Sequence, residues 1–250
     1  MGVSKIFKLL VGVALCIFAV FSSAYDKLQR IEEDNKHSKF IAGENQQILK
    51  KSMASSVKII SSFSIGDGDE NSIVTSSSGT YFFYNNKRYI ITAGHSLIGD
   101  CNSTQVIADE YAFNCIDIVS LDPLKDIGIF EVEDIFNREP ITITDFLSTN
   151  ESIERNTGVH EKTTYTGYPQ GMGPFTFDGK IISHSITNDI FFIHSYAWSG
   201  SSGSGVFNSR GSLIGVITAV SLANSDYGVD VMEDLIIVTS IELIDLQNVL

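Results

Sequence analysis

Residues 200–207 read Gly-Ser-Ser-Gly-Ser-Gly-Val-Phe, a glycine-rich serine loop that passes directly into a β-prone run. The element after the loop separates two architectures. A nucleophile elbow needs Gly-x-Ser-x-Gly on a strand-to-helix turn, with the acid and the histidine later in the chain. Here Ser204 stands where the last glycine belongs, and a strand-like run comes next. Two upstream segments complete the pattern: Ile90-Ile91-Thr92-Ala93-Gly94-His95-Ser96 ends a strand in a histidine, and Asp126-Ile127-Gly128-Ile129-Phe130-Glu131-Val132 opens one with an aspartate. Each is ordinary alone, since aspartates form turns and Gly/Ser runs form flexible loops. In the order His, Asp, Ser they supply a base, an acid that orients it, and a hydroxyl that needs both to become a nucleophile. Ser201 and Ser204 are rival nucleophiles on composition, while the Gly-x-Ser-Gly register centres on Ser202.

Around these segments, from Val57 onward, the chain is a succession of short β-rich runs, among them VKIISSF, TYFFY, RYIITA, CIDIVSL, FTFDGKIISHSI and LIGVITAVSL. A dozen short strands at this spacing predict an all-β barrel or sandwich instead of a βαβ fold. Asn85-Asn86, Asp178-Gly179 and Asn208-Ser209-Arg210-Gly211 are the expected hairpin turns. Thr239 with Glu242 forms a capping box that predicts a closing helix over Ser240 to Leu250. Residues 25–55 are polar with apolar residues at helical spacing, and read as a helical or flexible lead-in, or as a pro-segment.

The motifs T-A-G-H-S, D-I-G-I-F-E-V and G-S-S-G-S-G-V-F resemble the histidine, aspartate and serine motifs of the trypsin-like (chymotrypsin-fold) serine proteases over roughly Val57 to Leu250. The resemblance implies two six-stranded antiparallel β-barrels with a short C-terminal helix, and a protease domain over residues 56–250. It implies His95 as general base, Asp126 as orienting acid, Ser202 as nucleophile, and the N–H groups of Gly200 and Ser202 as the oxyanion hole. It places Tyr196, Ala197, Ile217, Thr218 and Ala219 along the primary substrate pocket, which favours uncharged, apolar or small side chains. The chain departs from digestive trypsins in carrying Ser201 where they carry an aspartate, and in lacking an Ile-Val-Gly-Gly start, so activation by N-terminal insertion is not expected. The spacing from His95 to Asp126 and the Gly167-Tyr168-Pro169-Gln170-Gly171 loop are more similar to compact Deg/HtrA-type enzymes. The Gly-Ser-Ser-Gly-Ser run is similar to glutamyl endopeptidases, whose acid-binding histidine is replaced here by Ile217. The implied function is a secreted serine endopeptidase acting on proteins or peptides; the alternative is a catalytically silent binding module on the same fold.

Composition narrows the partners. Among 250 residues, 30 acidic side chains outnumber 17 basic ones, a net charge of −13 that disfavours nucleic acid. With 16 Phe and 9 Tyr there is material for a sizeable core. Three cysteines and five histidines without Cys-x-x-Cys or His-x-x-x-His spacing suggest no metal and no cofactor. Lys5 and Lys8 precede the apolar run Leu9 to Phe21, and Ser22-Ser23-Ala24 supplies small residues before a cleavage point after Ala24. This is a secretory signal peptide, with residues 6–23 as an uncleaved anchor the alternative and the only route to membrane association. Cleavage removes two lysines and no acid, taking −13 to −15. Export to a secreted or periplasmic compartment makes a Cys101–Cys115 disulfide the expected state.

Overall fold

The computed structural model describes residues 46–64, 72–146, 158–185, 189–225 and 228–241. The expected signal peptide, residues 25–45 of the lead-in and residues 242–250 of the expected closing helix lie outside the described residues. Thr239 and Ser240, expected to open that helix, end a strand instead.

Six strands, β1 (Ser56–Ser64), β2 (Ser72–Tyr84), β3 (Lys87–Ala93), β4 (Thr104–Ala108), β5 (Tyr111–Asp122) and β6 (Ile127–Val132), pair antiparallel in the order β1-β4-β5-β6-β3-β2. Pairing of β1 with β2 closes this first barrel, and the short β7 (Ile141–Thr142) lies parallel to β2. The remaining strands, β8 (Lys162–Gly167), β9 (Phe175–Ser185), β10 (Ile190–His194), β11 (Gly205–Asn208), β12 (Leu213–Ser225) and β13 (Gly228–Ser240), close a second barrel in the order β10-β13-β12-β11-β8-β9. The fold is therefore all-β, two closed six-stranded antiparallel barrels.

Alternation along the strands explains how the barrels join. Side chains of a strand point to opposite faces in turn, so neighbours Tyr81/Phe82, Ile90/Ile91 and Ile129/Phe130 serve different cores. Tyr81, Ile90 and Phe130 fill the first barrel with Val57, Ile59 and Val106. Phe82, Ile91 and Ile129 face the other way and merge with the second-barrel core of Tyr165, Phe191, Ile193, Ile236 and Val238. Strands buried on both faces read as continuous apolar runs, which is why RYIITA lacks polar alternation. The ends of β3 and β6 are thereby fixed against the second barrel.

Turn chemistry follows the residues. Asn85 and Asn86 join β2 to β3 with φ of 46° and 65°, the left-handed pair that a two-residue hairpin demands and asparagine tolerates. The Asn208–Gly211 turn forms as expected, Gly211 N–H donating to Asn208 O at 2.9 Å. Asp178-Gly179 does not turn: both residues run through β9, paired with Thr164 and Thr163. A Cβ on Gly179 would meet Ser195 Cβ at 2.9 Å and His194 O at 3.0 Å, so the glycine permits close approach of a neighbouring strand. Asp178 accepts from Thr164 Oγ1 across the same pair at 2.9 Å.

Residues 46–55 are helical, and the compact unit that holds the barrels begins at Gln47. Ile48 is buried in the shared core, and Lys51 Nζ donates to Asp145 Oδ1 at 2.8 Å and to Gly211 O at 2.9 Å. This part of the lead-in packs on the barrels. Among the described residues no helix is long and apolar enough to cross a membrane.

Cys101 and Cys115 form a disulfide that ties the turn before β4 to β5, bracing the β4–β5 hairpin. With 14 residues of sequence separation, loop-entropy reasoning assigns it about 3 kcal/mol. Replacing both cysteines by serine is expected to lower the unfolding free energy in urea by about this amount. A midpoint equal to that of the oxidised parent would show that the bridge contributes nothing.

Candidate active site

His95 lies in a single 3-10 turn, Gly94–Ser96, that continues directly from β3. Asp126 immediately precedes β6, which is hydrogen-bonded to β3 with Ala93 opposite Ile127. Register alone therefore sets the two residues side by side. Gly94 N–H donates to Asp126 O at 2.8 Å, and His95 N–H donates to Asp126 Oδ1 at 2.8 Å. The second carboxylate oxygen, Oδ2, meets His95 Nδ1 at 2.7 Å. Asp126 has φ of 53°, a left-handed conformation that aspartate tolerates better than most residues and that turns its carboxylate back toward the histidine.

The consequence is electrostatic. A carboxylate on Nδ1 holds the proton there and leaves Nε2 of the neutral ring as an acceptor. The hydrogen bond to Asp126 raises the His95 pKa above its ordinary value, against the opposing effect of burial. His95 itself remains open, with 51% of its side chain exposed.

The serine loop is bound to both barrels. Gly203 N–H donates to Ile217 O on β12 at 2.7 Å, while Ser202 O accepts from Ser78 N–H on β2 at 2.8 Å. Gly203 has φ of +89°, and a Cβ there would lie 1.9 Å from Ser78 O and 2.2 Å from Thr92 Oγ1. Only glycine fits this approach, and it brings the loop against Thr92, three residues before His95. Ser201 and Ser204 are 1% and 0% exposed. Ser202 is half-buried and so retains access to solvent.

The backbone donors of the loop divide into two sets. Ser201 N–H donates to Trp198 O at 2.9 Å, Ser204 N–H to Ser201 O at 3.1 Å, and Gly203 N–H to Ile217 O. Gly200 and Ser202 N–H meet no acceptor among the described residues. Backbone N–H groups left without an acceptor are the kind of donor that a developing oxyanion requires.

Behind the loop, the buried Tyr165 hydroxyl donates to Tyr196 O. Burial pushes its phenol pKa up, so it remains a donor. Tyr196 is 61% exposed and stacks with Trp198, their ring centroids 6.1 Å apart. Of the expected pocket residues, Tyr196 and Ala219 reach the surface, Thr218 is nearly buried, and Ala197 and Ile217 lie within the barrel core. Thr218 Oγ1 lies 3.2 Å from Thr239 Oγ1, which donates to the backbone oxygen of Lys125 beside Asp126. Among the described residues no cluster of His, Cys, Asp or Glu could hold a metal ion.

Sequence reasoning missed Ser78, Tyr165 and Gln170 as supports of the loop. A faint signal for the first existed: Ser76-Ser77-Ser78-Gly79 is a run of small residues inside a strand, which marks close approach by another segment.

Residues 78–216 match the trypsin-like peptidase domain. Among solved structures, the chain is similar to the Rv3671c protease from M. tuberculosis in its active form, at 18% identity and TM-score 0.57, covering 80% of this chain and 82% of that one. The inactive form of the same protease aligns at TM-score 0.57 and 18% identity, over 80% of this chain and 90% of that one. The serine endoprotease from Yersinia pestis aligns at TM-score 0.56 and 19% identity, over 78% of this chain but only 61% of that one. At these identities the likeness is one of fold. No curated protein sequence matches the chain.

Proposed function

The chain belongs to the trypsin-like peptidase family and is a serine-type peptidase, and on that footing we propose that it is an exported endopeptidase working through Ser202, His95 and Asp126. The observation that carries the reading is the 2.7 Å contact between His95 Nδ1 and Asp126 Oδ2, joined to a motif in which Ser201 and Ser204 are buried and Ser202 keeps access to solvent. In this mechanism Ser202 Oγ attacks the scissile carbonyl carbon as its proton passes to His95 Nε2. The carbonyl oxygen becomes an oxyanion that accepts from Gly200 and Ser202 N–H. Collapse breaks the C–N bond, the amine leaves with the proton from His95, and water releases the acyl group by the same steps in reverse. Tyr196, Thr218 and Ala219, with Ala197 and Ile217 behind them, would line a primary pocket suited to uncharged side chains. Export is supported by the disulfide and by the signal-like segment before Ala24.

A fluorophosphonate probe is expected to label the folded protein at Ser202, with labelling lost on heat denaturation. Tight binding of unfolded casein without fragments or labelling would instead support a silent binding module.

The direction of the His95 shift predicts the pH profile. Neutral imidazole is the active base, so kcat/KM should rise with pH through an acid limb whose midpoint lies above the ordinary histidine value of about 6.5. Stability runs the other way. A histidine whose pKa is raised on folding stabilises the fold below its unfolded pKa, and that contribution fades as pH rises through the folded one. A kcat/KM profile flat from pH 5 to 8 would exclude His95 as base.

A further inference from the structure

We infer that Ser78, which lies outside the proposed triad, is the positioning residue that holds the oxyanion-binding loop in its working conformation; the inference rests on the reading of Gly200 and Ser202 as oxyanion donors. Ser78 belongs to β2 of the first barrel and is fully buried, yet its partners lie largely in the second. All its polar atoms are engaged. Its N–H donates to Ser202 O at 2.8 Å, its carbonyl accepts from Thr92 Oγ1 at 2.7 Å, its hydroxyl donates to Gly200 O at 2.7 Å, and Tyr168 N–H donates to that hydroxyl at 2.9 Å.

A peptide unit is planar, so anchoring its carbonyl also fixes the direction of the N–H across the bond. Ser78 Oγ anchors the Gly200–Ser201 unit, and Ser78 N anchors the Ser202–Gly203 unit. The Ser202 N–H lies between these two anchored planes. The other oxyanion donor, Gly200 N–H, belongs to the unit whose carbonyl, Ser199 O, accepts from Gln170 N–H at 2.5 Å. Gln170 is part of the turn whose leading residue, Tyr168, bonds to the Ser78 hydroxyl. One buried hydroxyl therefore secures the loop directly and steadies the turn that orients its other donor. Gly200 has no side chain to favour one rotation of these planes over another. Ser78 restrains them from the first barrel, beside the Gly203 N–H bond to Ile217 O and the Gln170 N–H bond to Ser199 O from the second.

The test compares the folded Ser78→Ala and Ser78→Thr variants with wild type on a peptide substrate and a peptide aldehyde, which forms a tetrahedral adduct with an oxyanion. For Ser78→Ala, kcat should fall about 10- to 100-fold with KM within about threefold, because the lost contact acts on transition-state stabilisation. Aldehyde affinity should fall by the same factor as kcat/KM, and the acid limb set by His95 should keep its midpoint. Ser78→Thr, which keeps the hydroxyl, should recover most of the loss. The inference is overturned if Ser78→Ala keeps kcat within about twofold of wild type, or if its loss is all in KM with aldehyde affinity intact. Should Ser78→Ala fail to fold, Ser78→Cys, close in volume and a weaker donor, is read by the same criteria. Failure of the underlying reading is seen separately, in wild type that neither labels with fluorophosphonate nor cleaves peptide.

Discussion

Ser202→Ala is expected to lower kcat on a peptide substrate by on the order of a millionfold, with KM and melting temperature nearly unchanged. The size reflects the division of labour in the site. In the proposed mechanism His95 and Asp126 act on the chemistry through the serine hydroxyl, so removing that oxygen idles both and leaves the oxyanion donors to act on water-driven hydrolysis. The stability prediction rests on placement. Ser202 is held through its backbone, by Ser78 N–H and by the neighbouring Gly203, while its half-exposed hydroxyl makes no hydrogen bond to another described residue. Steady-state kinetics with a fluorogenic peptide and a thermal melt check both halves. Activity within about tenfold of wild type would remove Ser202 as nucleophile and reopen the choice of serine.

The second large effect is expected at Asp126. Asp126→Asn should reduce kcat/KM near neutral pH by about 10⁴-fold while leaving the fold intact. Asparagine is the residue best able to share the left-handed φ of 53° at this position, and its amide oxygen can still accept from His95 N–H. Its NH₂ then faces Nδ1, which can accept only in the tautomer that carries its proton on Nε2. The ring then offers the serine a donor where it needs an acceptor. The hydrogen bond that raises the His95 pKa is lost as well, so the acid limb of the residual activity should move to lower pH. Because both residues act in one unit, Ser202→Ala with Asp126→Asn should be scarcely worse than Ser202→Ala alone; additive losses would show that the two act independently.

An all-β fold was legible because strands such as β3 and β6, buried on both faces, write themselves as short apolar runs beside turn residues with strong preferences; the choice of two barrels over a sandwich came from the motif resemblance. Asn85-Asn86 had one good conformation to adopt and adopted it. Asp178-Gly179 shows the limit: the same dipeptide that makes a hairpin also suits a strand whose neighbour comes within 2.9 Å of the missing Cβ, and only tertiary packing decides. The extent of β2 was hidden for a related reason. Its first half, Ser72 to Gly79, is rich in serine and threonine apart from Ile73 and Val74 and lacks apolar alternation, since it pairs with β1 and meets the serine loop through backbone and hydroxyl groups. At the site, motif order pointed to His95 and Asp126, and register favoured Ser202 over its neighbours. What sequence could not express is accessibility: Ser201 and Ser204 have the same side chain as Ser202 and differ by being sealed in the protein.

Closure of both barrels bears on how such an enzyme survives its own company. A serine peptidase at working concentration meets other copies of itself, and a scissile bond must be offered to its cleft as an extended segment with free backbone groups. The far ends of the β1–β2 and β12–β13 ladders pair on one side only, but in the closed part of each barrel every strand has two neighbours, and these segments present no open edge to be drawn into another molecule's cleft. Cutting within them requires opening a barrel first, which makes resistance to autolysis a matter of unfolding free energy. Destabilising substitutions far from the site, such as loss of the Cys101–Cys115 bridge, should accordingly shorten the enzyme's active lifetime by self-digestion before they alter its turnover.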